Sequence, residues 1–372
     1  ARIFKDAFEE MRKTFTEVDE FTGDDEVLAG PFVRLFLQVM NEGRSADIGL
    51  NVTDKGCDLA YSLAAREGTA LARAIAGAGM VAPAHVNRLK PGSHLVAMRM
   101  AFFHNYVKHM PELIRQLDEI DMDDEEDRKM VAAFDSFAAL MKASESLVVS
   151  VDLNPDTGAI DATAILGGKG DDLRTRVAAL ARAIAAVNED EGMTFEADTQ
   201  TIAGAPVDRL EIVFNDNNEA EAEQVLKTMF DNPRGMDLLM APREEGLYIA
   251  LGPNRKKHLG TMLRGEKFQG AWPAAAQGIA RDGGAGLAAT DNRRELAWMR
   301  HLASQTGAPE EFLTMYDTVL KDIPHTPVNR LRVHVKDGRL TAEHHLPYEV
   351  IKLQMLQVSR MMGGLFMAFG AM

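Results

Sequence analysis

Three stretches of this chain follow one plan: two strand-like runs around a short polar turn, leading into an amphipathic segment. They read ADIGLNVTDKGCDLAYSLAA (residues 46–65), LVVSVDLNPDTGAIDATAIL (147–166) and RLRVHVKDGRLTAEHHL (330–346). Each alternates apolar and polar residues, the period-two pattern of a strand with one buried side. Turns such as Lys336-Asp337-Gly338 are short enough to join only adjacent antiparallel strands. A unit of this kind cannot bury its apolar face alone and must share a sheet with its copies. The expected fold class is α+β: antiparallel sheets built from repeated β-hairpins, covered on one face by amphipathic helices, with an internal duplication.

Punctuation along the chain divides it into four segments. Residues 1–90 read as a helix–hairpin–helix repeat, opened by an amphipathic helix through Phe4, Phe8, Met11 and Phe15. Residues 91–190 start at Pro91-Gly92 and continue as a strand (His94 to Met100), paired helices (Phe103 to Ile120 and Glu126 to Ser144), the second hairpin and a helix from Asp171. Residues 191–270 hold two strand pairs, each followed by a helix, Asn217 to Phe230 and Arg255 to Arg264. Residues 271–372 open with a Gly- and Ala-rich linker, then repeat the strand, paired helices, hairpin and final helix, and end in an apolar tail. His94 aligns with Gly286 and Leu147 with Leu331, offsets of 192 and 184 residues, as a duplication would leave.

Charge and cysteine usage narrow the classes of function. The formal charge is −15, from 41 Lys and Arg against 56 Asp and Glu, which argues against nucleic acid and against an anionic membrane surface. No apolar run has the length of a membrane span. Cys57 is the single cysteine, so no intramolecular disulfide forms, and its place in an alternating run suits a buried structural thiol. The chain opens Ala-Arg-Ile without Met, which fits removal of a signal peptide and an extracytoplasmic (periplasmic or secreted) location, with the cytoplasm as the alternative.

Motifs that would carry chemistry fall short of their requirements. Gly167-Gly168-Lys169-Gly170 lacks both the upstream Gly and the following Ser or Thr of a phosphate loop. The acidic run Asp121 to Asp127 has Glu126 and Ala132 where an EF-hand loop needs Gly and Glu, so it reads as a solvated helix start. His344 and His345 are adjacent on a strand and point to opposite faces, and His334 should lie near Thr341. No nucleophile elbow or Ser-x-x-Lys occurs. No catalytic, metal or cofactor residues are assigned, and no cofactor is expected.

The stretches Pro91 to Met100, Gly246 to Gly252 with Asn254 to Leu263, and Gly286 to Thr290 resemble a group of exported, planctomycete-like bacterial proteins of unknown function. Those proteins have repeated strand, helix and hairpin cassettes. The resemblance implies an extracytoplasmic location and a sheet-and-helix fold, and carries over no catalytic residues.

The function expected from these readings is a non-enzymatic extracytoplasmic scaffold or binding protein, acting through a protein partner or by self-assembly into a homo-oligomer. The apolar, Gly-broken tail supplies the contact candidates Leu365, Phe366, Met367, Phe369 and Met372. Two alternatives stand beside it: a carrier of a hydrophobic ligand, and a hydrolase with a non-local site, for which His334, Glu343 and His344 are the candidates.

Overall fold

The computed structural model describes residues 41–79, 81, 83–100, 104, 121–187, 192–214, 220–269, 285–322 and 328–351. Its order of elements is β1 (Gly43–Thr53), β2 (Gly56–Ala65), α1 (Ala70–Ala76), α2 (Pro83–Asn87), β3 (His94–Arg99), α3 (Glu125–Ala143), β4 (Ser146–Leu153) and β5 (Ile160–Gly167). There follow α4 (Gly170–Val187), β6 (Met193–Ile202), β7 (Ala205–Val213), α5 (Ala220–Phe230), β8 (Gly235–Arg243), β9 (Gly246–Leu251) and α6 (Arg255–Arg264). The last are β10 (Gly286–Asp291), α7 (Asn292–Gln305), α8 (Glu310–Asp322), β11 (Val328–Lys336) and β12 (Arg339–Pro347).

The fold is α+β. The twelve strands among the described residues join one antiparallel sheet, in the order β1-β2-β12-β11-β10-β3-β4-β5-β9-β8-β7-β6, where several sheets were expected. Helices cover both faces of its middle, where one covered face was expected. On one face α2 with the turn after it and α6 bring Val86, Leu89, Leu259 and Met262 against Leu95, Val148, Ile165 and Tyr248. On the other, α3 and α4 bring Leu140 and Leu173 against Leu166, Leu247, Met240 and Leu210. Alternate residues of the central strands are therefore buried on both sides, as strands between two helical layers must be.

Local chemistry sets the helix ends. Asp124 caps α3 by accepting hydrogen bonds from the Glu126 and Asp127 amides, at 2.7 and 3.3 Å, so the acidic run serves a helix start as its composition suggested. Thr69 and Asp291 cap α1 and α7 in the same way. Gly265 takes a left-handed conformation to end α6. Gly168 and Lys169 form the turn between β5 and α4.

The sheet reads alike outward from its centre. Val96 of β3 lies opposite Ala288 of β10. From that pair the meanders β3-β4-β5 and β10-β11-β12 run in opposite directions, and each is extended by a hairpin, β9-β8 on one side and β2-β1 on the other. One row of side chains passes through Val96, Val149, Ala164, Ile249 and Met240. Its counterpart passes through Ala288, Leu331, His344, Leu59 and Leu50. Leu50 on β1 thus stands where Met240 stands on β8.

Candidate interaction surface

Strand β1 ends the sheet, and the alternation of ADIGLNV sends Ile48, Leu50 and Val52 to one face, with Asp47, Gly49 and Asn51 on the other. The expectation of a buried apolar face fails here. Ile48, Leu50 and Val52 are 53, 63 and 61% exposed, and Tyr61, directly across β2 from Ile48, is 42% exposed. Met240, the counterpart of Leu50, is 2% exposed. The polar face of the hairpin is anchored instead. Arg339 on β12 donates to Ser62 Oγ at 2.9 Å, reaches across β2 to Asp47, and lies 3.4 Å from Ser45 Oγ. Helix α1 covers only the far end of the apolar face, with Leu71, Ala74 and Ile75 packed on Leu63, Ala65 and Leu340. The result is a stripe of large apolar side chains along a strand edge, held in place from behind and open to solvent in front.

Two clusters of charge lie on the face covered by α2 and α6. In the first, Asp152 and Asp161 stand opposite each other on β4 and β5. Lys90 Nζ joins them at 2.6 and 3.3 Å, and Arg294 of α7 lies 2.7 Å from Asp152 Oδ1. Asn254 donates its amide and side-chain N–H groups to Asp161, at 3.1 and 2.9 Å. The His258 Nε2 atom sits 3.4 Å from Asp161 Oδ2 without meeting hydrogen-bond geometry. Burial alone would raise the Asp161 pKa, but His258, Asn254 and Lys90 outweigh it and hold the carboxyl well below the usual range. Two carboxylates and two fixed cations neutralise one another, so the cluster ties α6, α7 and the segment before β3 to the sheet.

The second cluster is Tyr248, Glu245 and Arg88. Tyr248 donates to Glu245 Oε1 at 2.8 Å, and the Arg88 guanidinium contacts both groups. Burial and then the Glu245 carboxylate push the Tyr248 pKa up to about 12, which keeps the phenol protonated and unsuited to act as a base. His85 nearby is pushed down by burial and by the Arg88 charge, so it is held neutral.

The residues singled out in the sequence divide as follows. Leu365, Phe366, Met367, Phe369 and Met372 lie outside the described residues, as does the helix expected over 103–120 apart from His104. His334 lies opposite Thr341 as expected, with its Nε2 atom 3.9 Å from Glu343 Oε1. His344 points to the other face, where its Nε2 pairs with Asn329 Oδ1 at 2.6 Å; burial and the neighbouring His345 push it down. His345 pairs with Asp58 at 2.7 Å. Of the three hydrolase candidates, His334 and Glu343 therefore meet on one face and His344 stands on the other. Cys57 is half-buried on β2, opposite Leu346. No group of three or more His, Cys, Asp or Glu arranged to hold a metal ion occurs among the described residues, and no helix among them is long and apolar enough to cross a membrane.

Comparison with models of protein families, with curated proteins and with solved structures found no match.

Proposed function

We propose that this protein is a non-enzymatic scaffold or binding protein working outside the cytoplasm, and that it presents the apolar flank of the β1–β2 hairpin to a protein partner. The observation that carries the reading is the exposure of Ile48, Leu50, Val52 and Tyr61 in one stripe. Single exposed apolar residues are common, but a contiguous row beside a strand edge that pairs with no other strand among the described residues is a feature of recognition surfaces. The strap from Arg339 to Ser62 and Asp47 supports it by holding the hairpin ready, which lowers the ordering cost of binding. The extracytoplasmic location rests on the sequence resemblance. The matched halves of the sheet support the reading of an internal duplication.

A photo-crosslinking amino acid at position 50 of the full-length chain, with position 125 as control, tests the reading. The expected result is one recurrent polypeptide adduct, identified by mass spectrometry, from position 50 alone. Absence of an adduct, or the same products from both positions, would overturn it.

A further inference from the structure

The two edges of the sheet differ in how they are protected. At the far edge, β6 shifts register between Glu196 and Gln200. Asp198 takes a positive φ of 52° there, and Arg174 holds it at 2.8 Å. A bulge, a kink and two acids on an edge strand are devices that stop another strand from adding. Strand β1 is regular from Ser45 to Thr53 and carries one acid there, Asp47, which is paired with Arg339 across β2. Its one irregularity lies at its start, between Gly43 and Ser45, and Gly43 to Thr53 contains neither Lys nor Pro.

The matched halves say what belongs beside it. The outer edge of β8 is filled by β7, antiparallel, with Asp208 opposite Met240. Strand β1 holds the equivalent place in the other half, and no strand pairs with its outer edge among the described residues. By that correspondence, the neighbour that fits the outer edge of β1 is an antiparallel strand.

We infer that β1 is an open strand site filled by β1 of a second copy of this chain, the two strands pairing antiparallel about Gly49. This rests on the reading of the β1–β2 flank as a contact surface and names its partner. A twofold axis at Gly49 sets Ile48 against Leu50 of the partner subunit and Ala46 against Val52 of the partner subunit. Directly opposed residues share a face, so the two apolar stripes become one. Asp47 meets Asn51 of the partner subunit, so no like charges oppose each other. At each end Arg44 falls beside Asp54 of the partner subunit, a complementary pair made twice by symmetry. The residue on the axis has no side chain to obstruct the approach.

Light scattering coupled to size exclusion, on the full-length chain at micromolar concentration, tests this. Twice the monomer mass is expected. Leu50→Lys should weaken the dimer at least about tenfold in dissociation constant while leaving the melting temperature nearly unchanged, because the site is exposed in the single chain. Arg44→Asp and Asp54→Arg should each weaken the dimer, and the double variant should restore it. A monomeric wild-type chain, or a dimer indifferent to Leu50→Lys, would overturn the inference, and a double variant that fails to recover would overturn the register about Gly49. If the purified chain is monomeric while position 50 crosslinks reproducibly to a different protein, this inference falls and the recognition reading stands.

Discussion

Asp161 shows how a side chain buried in a charge cluster links distant parts of the chain. Its carboxylate faces Lys90, Asn254 and His258, drawn from two segments more than 150 residues apart. With Oδ1 accepting from the Asn254 backbone amide and Oδ2 from the Asn254 side chain and Lys90, its folded pKa lies below the ordinary 3.8. The folded state thus binds fewer protons than the unfolded chain as pH falls through the carboxylate range. Its stabilising contribution is complete above pH ~4 and is lost on acidification below that. Thermal melts against pH should show this loss in the wild type, and Asp161→Asn should flatten the acid limb. A limb unchanged in the variant would assign the acid sensitivity to other carboxylates. Asp161→Ala leaves Lys90 with one carboxylate in a buried setting and should cost about 3 kcal/mol in urea unfolding. None of this was legible in the sequence beyond one hint: Asp152 and Asp161 fall on the same alternation phase as Val148 and Ile165, where a charge must find a partner.

Hairpins are where the sequence spoke most clearly, because a turn and its flanking alternation are local. The chain predicted the pairs β1–β2, β4–β5 and β11–β12, along with strands β3 and β10, and the structure contains them. Order across the sheet was not legible: β2 pairs with β12 and β3 with β10, contacts that close loops of nearly 200 residues or more. Nor did alternation reveal whether its apolar phase meets a helix layer or water, which is why β1 and β8 read alike and differ in exposure. Their hairpins share one further device. Gly56 and Gly246 each open the inner strand just after a two-residue turn, and a Cβ there would strike the carbonyl oxygen of Leu346 or Leu166 on the next strand. Gly56 also has φ of +151°, which an L side chain resists. Gly56→Ala and Gly246→Ala should each destabilise by about 2 kcal/mol or more in denaturant unfolding, since relief requires two paired strands to separate. Losses under about 0.5 kcal/mol would mean that the strands part there at little cost.

Across the whole sheet, the two matched halves are assembled differently from the chain. Strands β3 to β9 come from one uninterrupted stretch, and residues 78–269 also supply α2 and α6 on one face and α3 and α4 on the other. Apart from Leu287 and Ala289, the buried side chains of both large cores lie within it. The other half draws β2-β1 from the beginning and β10-β11-β12 from the end, so neither piece can complete it alone. A fragment of residues 78–269 is therefore expected to melt cooperatively, with dispersed amide resonances, at a temperature below that of the full chain because β3 loses β10. A fragment of residues 285–351 keeps three strands without either flanking neighbour, and is expected to show no cooperative transition. The asymmetry has a physical origin: burial on both faces stabilises the continuous half, whereas the split half depends on long-range pairing of β2 with β12. Should the 78–269 fragment also melt without cooperativity, the β3–β10 pairing would be the contact that makes the sheet a single folding unit.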